Sequence, residues 1–268
     1  MAETQTELDI NVDISDFVAT IEIARPPHNF FDYELIQQIA DALEGLDGNP
    51  DCRAVVLAAQ GKSFCAGANF GDGSDITRDG SVAGQGNRGS AGHLYVEAVR
   101  LFRTAKPIVA AIHGAAVGGG LGLAMIADFR VACPQARFCA NFTRLGFTPG
   151  FGLTTTLPEV IGKTNAALVF YTGRRFKGEE AHEMGLVDVL VPQNDVREAA
   201  FDLAREIAIS SPLAVVELRK VMRGDLADRV KAATDRELEV QTRLRKTEDF
   251  IEGVKAMSER RDPEFVGR

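Results

Sequence analysis

The sequence predicts an α/β fold: strands alternating with helices to give a buried, mostly parallel sheet, followed by a helical C-terminal third. Two observations carry this reading. Between residues 17 and 133, short apolar runs rich in Val and Ile alternate with stretches whose apolar residues recur at helical spacing. Crossover connections of this kind belong to parallel sheets covered on both faces. From about Asp195 onward the pattern is almost wholly helical, with breaks at Pro212, Gly224 and near Thr247. The chain therefore divides into a core over 1–195 and a helical region over 196–268.

The first strand is expected at Phe17–Ile23, with Phe17, Ala19, Ile21 and Ile23 on one face, and Arg25-Pro26-Pro27 ends it. Asp32 opens a helix whose Leu35, Ile36, Ile39, Leu43 and Leu46 form an apolar stripe, broken by Gly48-Asn49-Pro50. Arg53–Ala59 reads as a buried strand. A helix over about 92–105 and a strand over 107–112 repeat the cycle. A glycine-rich turn, a short helix ending near Asp128 and a strand over 129–133 follow. The stretch 61–92 holds many glycines and few large apolar residues after Phe70, which predicts a mobile loop. In the last helix Phe250, Ile251, Val254 and Met257 are expected on one face.

Composition excludes several classes. With 45% hydrophobic and 25% charged residues the 268-residue chain has the content of a globular protein. No apolar run is long enough for a transmembrane helix. MAETQTELDI lacks the basic and apolar regions of a signal peptide, so a cytoplasmic chain is expected. The net charge of −8 argues against nucleic acid and anionic membrane as partners. Cys52, Cys65, Cys133 and Cys139 form no CxxC pair and read as reduced, buried thiols.

Several motifs fail on context. Gly84-Gln85-Gly86-Asn87-Arg88-Gly89 matches GxGxxG but has no strand before it. Gly61-Lys62-Ser63 and Gly162-Lys163-Thr164 resemble P-loop tails, yet the first glycine of that motif would fall on Val56 and Leu157. There is no GxSxG or HExxH, and His28, His93, His113 and His182 are too scattered for zinc.

Two small-residue turns remain, each directly after a predicted parallel strand: Ser63–Phe70 and His113–Gly122. Ligands of parallel sheets bind beyond the carboxyl ends of the strands, and glycines there let a ligand touch the main chain. One N–H from each loop would make an oxyanion hole; close helix packing explains the same glycines.

At these residues the sequence resembles the crotonase (enoyl-CoA hydratase/isomerase) superfamily. The segments ARPPHNFF, SFCAGANF, KPIVAAIHGAAVGGGLGLAMIADFRVA, FTRLGFTPGFGLTTTLP and TEDFIEGVKAMSERRDPEF carry the likeness, in family order, from about Asn11 to Phe265. The resemblance implies a crotonase-type spiral of ββα repeats with a helical C-terminal trimerisation region. The expected assembly is a homo-oligomer, a trimer or dimer of trimers. It implies an acyl-CoA thioester as substrate, with coenzyme A part of that substrate and no separate cofactor or metal. The oxyanion donors carry over to the N–H groups of Ala68 and Gly119. Ala66, Gly67, Asn69 and Phe70 line the CoA pocket, with Asn69 where the family usually has Asp. Gly118 and Phe142 border the acyl group, and Arg25 and Arg260 are assigned to CoA phosphates. The family's catalytic carboxylates would fall at Gly122 and Phe142, or at Gly150, and none of these is acidic. Asp72, Asp75, His93 and Glu97 are the alternative bases. The other reading is a catalytically silent acyl-CoA-binding homologue.

Overall fold

The computed structural model describes residues 8–69 and 94–268. Two sheets form the core. The larger has six strands in the order β1 (Ile10–Ser15), β2 (Val18–Ile23), β3 (Ala54–Ala59), β5 (Ile108–Ile112), β7 (Phe129–Ala132) and β10 (Val189–Leu190). The smaller is ordered β4 (Ser63–Cys65), β6 (Ala115–Val117), β8 (Arg137–Cys139) and β9 (Arg175–Lys177). Successive strands alternate between the sheets: β3, β5 and β7 enter the large one, and β4, β6 and β8 the small one. This is the winding of a ββα repeat. Pairing is parallel from β2 through β10 and from β4 through β8; β1 and β9 pair antiparallel at the edges.

Helix α1 (Tyr33–Asp47) forms as its pattern dictates. The Asp32 carboxylate accepts from Leu35 N–H at 2.9 Å, and Leu35, Ile36, Ile39, Leu43 and Leu46 are all buried. The other elements of the core are α2 (Leu94–Phe102), α3 (Gly119–Ala124), a 3-10 turn (Thr143–Leu145), α4 (Leu153–Thr172) and α5 (Gly178–Glu183). Four helices complete the chain: α6 (Val196–Ala208), α7 (Pro212–Arg223), α8 (Leu226–Leu244) and α9 (Glu248–Glu259). They begin and end where Pro212, Gly224 and Thr247 forecast. Helix α6 covers β3, β5 and β7, while α8 lies on α2 and α4. Among the described residues no helix is long and apolar enough to cross a membrane.

The structure corrects four expectations. Phe17 is outside the strand, in a left-handed turn at φ 63°, with its ring beneath the Arg53 guanidinium at 3.8 Å. A strand precedes the expected first one: β1, where Ile10, Val12 and Ile14 alternate with polar residues, pairs with β2 along the edge. Residues Ser63–Cys65 at the start of the expected loop are a buried strand. On α9, Phe250 and Val254 are buried, but Ile251 is 62% exposed and Met257 37%. The Gly162-Lys163-Thr164 triplet is a helix break, since Gly162 has φ 77° inside α4. All four cysteines are free and buried; burial pushes the Cys65 thiol up to about 12 and Cys139 up to about 11.

Candidate active site

The two glycine loops converge. Segment 28–31 straps the first in place: Ala66 N–H donates to His28 O at 3.0 Å, and Phe31 N–H donates to Gly67 O at 3.1 Å. Gly67 adopts φ 82° and lies so close to the second loop that a Cβ there would sit 2.6 Å from Val117 O and 3.6 Å from Gly119 N. Only glycine fits such a contact in that backbone region. Gly118, at φ 55°, then turns the chain into α3. The N–H groups of Ala68 and Gly119 have no backbone acceptor among the described residues. Gly119 N thus lies close to the Gly67–Ala68 peptide.

The glycines also serve packing, as the alternative reading held. A Cβ on Gly119 would lie 2.2 Å from the Phe31 ring, and one on Gly120 2.0 Å from Cys65 O. This packing presses α3 against β4 and brings the two loops together.

These loops open on a cavity of about 340 Å³. Ala66, Gly67, Ala68, Asn69, Gly118, Gly119 and Phe142 all line it, so the fold gathers most of the residues chosen from sequence. Its walls are largely aromatic. Phe31 and Phe151 lie with centroids 5.8 Å apart, and Phe142 meets Phe147 edge-on at 5.5 Å. Tyr95, Arg175 and Arg245 also border it, which no local sequence signal announced.

The remaining choices fall elsewhere. Arg25 is not among the lining residues; it pairs with Asp9 at 2.6 Å and Asp32 at 2.7 Å, which together hold its guanidinium firmly protonated. Arg260 is the exposed left-handed cap of α9, two residues beyond the cavity-lining Ser258. Glu97 does not line the cavity: it is buried, accepts from Tyr33 Oη at 3.0 Å and pairs with Arg100. Phe70, Asp72, Asp75 and His93 lie outside the described residues.

The positions matched to the family's carboxylates are occupied in an instructive way. Phe142 itself is one wall. The Phe151 ring fills the space over Gly122, where a Cβ would meet its Cβ at 2.7 Å and its Cγ and Cδ1 at 2.8 Å. At Gly150 a Cβ would come within 1.8 Å of Tyr95 Oη. Aromatic groups from other parts of the chain have taken the space.

Helix α8 stands behind the cavity wall and holds it through Tyr95. Its Gln241 accepts from Tyr95 Oη at 3.0 Å and donates to Thr148 O at 2.8 Å. One turn earlier, Glu237 is 4% exposed and accepts from Gly152 N–H at 2.8 Å, Thr154 N–H at 3.0 Å and Thr154 Oγ1 at 2.5 Å. It caps α4 from another helix; burial holds its carboxyl above the usual range. Arg245, a further turn on, stacks over the Phe147 ring at 5.1 Å.

Comparison with known proteins agrees with this geometry. The family model for enoyl-CoA hydratase/isomerase matches residues 13–268. A probable enoyl-CoA hydratase of Bacillus subtilis (strain 168) is 30% identical over 261 residues, covering 96% of this chain and 98% of that protein. The 1,2-epoxyphenylacetyl-CoA isomerase of Escherichia coli (strain K12) is 29% identical over 253 residues, covering 94% and 95%. The crystal structure of an enoyl-CoA hydratase/isomerase from Pseudoalteromonas atlantica T6c superposes with a TM-score of 0.84 at 28% identity, covering 96% of this chain and 100% of that one. Fold, sequence and the paired-loop cavity together make this chain a member of the enoyl-CoA hydratase/isomerase family of enzymes, the crotonase superfamily.

Proposed function

We propose that the chain acts on an acyl-CoA thioester, holding the thioester oxygen between the N–H groups of Ala68 and Gly119 and stabilising the enolate that forms there. The observation that supports this most is the meeting of Gly67 with Gly119, which sets two donors without backbone acceptors side by side at the cavity. Such preorganised donors act where charge develops and cost no rearrangement. The acyl group occupies the aromatic cavity, and the CoA moiety runs along Ala66–Asn69.

Ordinary enoyl-CoA hydration does not suit this cavity. Water addition needs a carboxylate at the acyl end, and Phe142, Phe151 and Tyr95 hold the positions where the family places one. That same filling is what favours the second reading, a silent acyl-CoA-binding homologue. A mass-spectrometric screen of acyl-CoA thioesters in deuterated water separates the two. Mass change or deuterium uptake is expected; binding without either would leave the silent homologue. Ala68→Pro removes one donor and is expected to abolish turnover in a folded protein, whereas unchanged activity would remove Ala68 from the site.

The chain is further proposed to act as a trimer or a dimer of trimers. On α7, Leu213, Leu218, Val221 and Met222 are 58–80% exposed, an apolar face that a monomer would leave in water. Sedimentation at micromolar concentration tests this; a monomer would refute it.

A further inference from the structure

Among the described residues lining the cavity, side chains with an O–H to give are few. Asn69 and Asn141 are amides, and Arg175 and Arg245 carry guanidinium groups. Ser258 is exposed at the end of α9, where its hydroxyl donates to Lys255 O at 2.7 Å. Tyr95 differs from all of these. It is 6% exposed, its hydroxyl lies where a side chain at Gly150 would begin, and that hydroxyl is anchored. Gln241 Oε1 accepts its O–H at 3.0 Å, and the same amide's Nε2 donates to Thr148 O at 2.8 Å.

We propose that the Tyr95 hydroxyl, standing in the place of the absent carboxylic acid, transfers the proton at the substrate's α-carbon. This rests on the enolate reading above. In the step, the Tyr95 O–H bond breaks as the enolate's electron pair forms a C–H bond at the α-carbon, and the thioester carbonyl re-forms. The phenolate left behind regains a proton from solvent water. The reverse step removes an α-proton to the phenolate. Burial holds the phenol above its usual range, so the resting group is the neutral acid.

The test is α-hydrogen exchange of an acyl-CoA in deuterated water, with CoA-thioester binding measured in parallel. Tyr95→Phe, which keeps the ring, is expected to slow exchange by about 10²- to 10⁴-fold while binding stays within about threefold, because acid–base groups supply factors of that size. Gln241→Met leaves the hydroxyl without its acceptor and is expected to slow exchange by about tenfold; it carries the test should Tyr95→Phe fail to fold. Exchange at the wild-type rate in the folded variants overturns the role of Tyr95 and leaves the enolate reading intact. A wild-type protein that binds thioesters but exchanges nothing across the panel overturns both.

Discussion

Gly122→Glu is the substitution that would restore a hydratase-like carboxylate, and the structure states what it meets. The new Cβ would lie 2.7–2.8 Å from three atoms of Phe151, against an optimal carbon separation of about 3.5–4.0 Å. Phe151 must yield by roughly 0.8 Å, yet it is 1% exposed and the neighbouring Gly152 N–H is tied to Glu237. Overpacking of this kind costs about 1–3 kcal/mol, partly offset by up to about 1 kcal/mol from removing a helical glycine. The expected net loss is about 1–2 kcal/mol, a fall in Tm of about 2–8 °C for a chain of this size. Phe151→Ala alone should cost about 3–5 kcal/mol through the cavity it leaves. The double variant should be more stable than the sum by at least about 1 kcal/mol, since each change relieves the other. Thermal and urea unfolding of the four proteins closes the cycle. The same logic predicts that crotonyl-CoA hydration in a Phe142→Glu/Gly122→Glu protein appears only once Phe151→Ala is added. Additive stabilities, or hydration without Phe151→Ala, would refute the claim that Phe151 holds this space.

Other outcomes follow from contacts already described. Glu237→Ala should destabilise the chain by about 1–3 kcal/mol, because the buried Gly152 N–H loses its acceptor and the exposed Thr154 loses its two bonds; denaturant unfolding measures it. Because Glu252 is held down at about 2, mainly by Arg261, its contribution is present above the usual carboxyl value of 4.5 and fades as pH falls toward about 2. Glu252 also accepts from Glu264 N–H at 2.8 Å, so the protection of the C-terminal amides, taken relative to their intrinsic exchange rate at each pH, should fall over that window. Glu252→Gln should remove this acid dependence, and an unchanged profile would count against the tether. Asp32→Ala should cost about 1 kcal/mol by uncapping α1, and should also release Arg25 from one of its two partners.

How much was legible in the sequence depended on where each signal resides. Helix α1 was readable because its cap and its five-residue stripe are local. Strand β1 was legible too, in the alternation of Ile10, Val12 and Ile14 with Asn11, Asp13 and Ser15, although at that edge only Ile10 is buried and Val12 is 47% exposed. Phe17 extends the alternation of β2 by one residue, so only the backbone turn at Asp16 and Phe17 distinguishes it from a strand residue. The three-residue strands β4, β8 and β9 fall below the length at which periodicity means anything. In the site, the two glycine loops were visible because each is a contiguous motif after a strand. Tyr95 was not, because its partner Gln241 is 146 residues away and the pair exists only in the fold. Nothing local to Gly122 or Gly150 announces that aromatic groups from elsewhere fill the space beside them.

The hold that α8 has on Tyr95 makes the phase of that helix part of how the cavity wall is built. Glu237, Gln241 and Arg245 follow one another at four-residue steps, one face of a helix that advances about 100° per residue. Inserting or deleting a single residue between Leu226 and Glu237 would swing all three through that angle. The α4 cap, the Tyr95 anchor and the cation over Phe147 would be lost together, although every side chain named in the cavity survived in the sequence. Length upstream of Glu237 is therefore under the same constraint as the identity of the residues themselves, and a change far from either glycine loop would behave as a change within the active site.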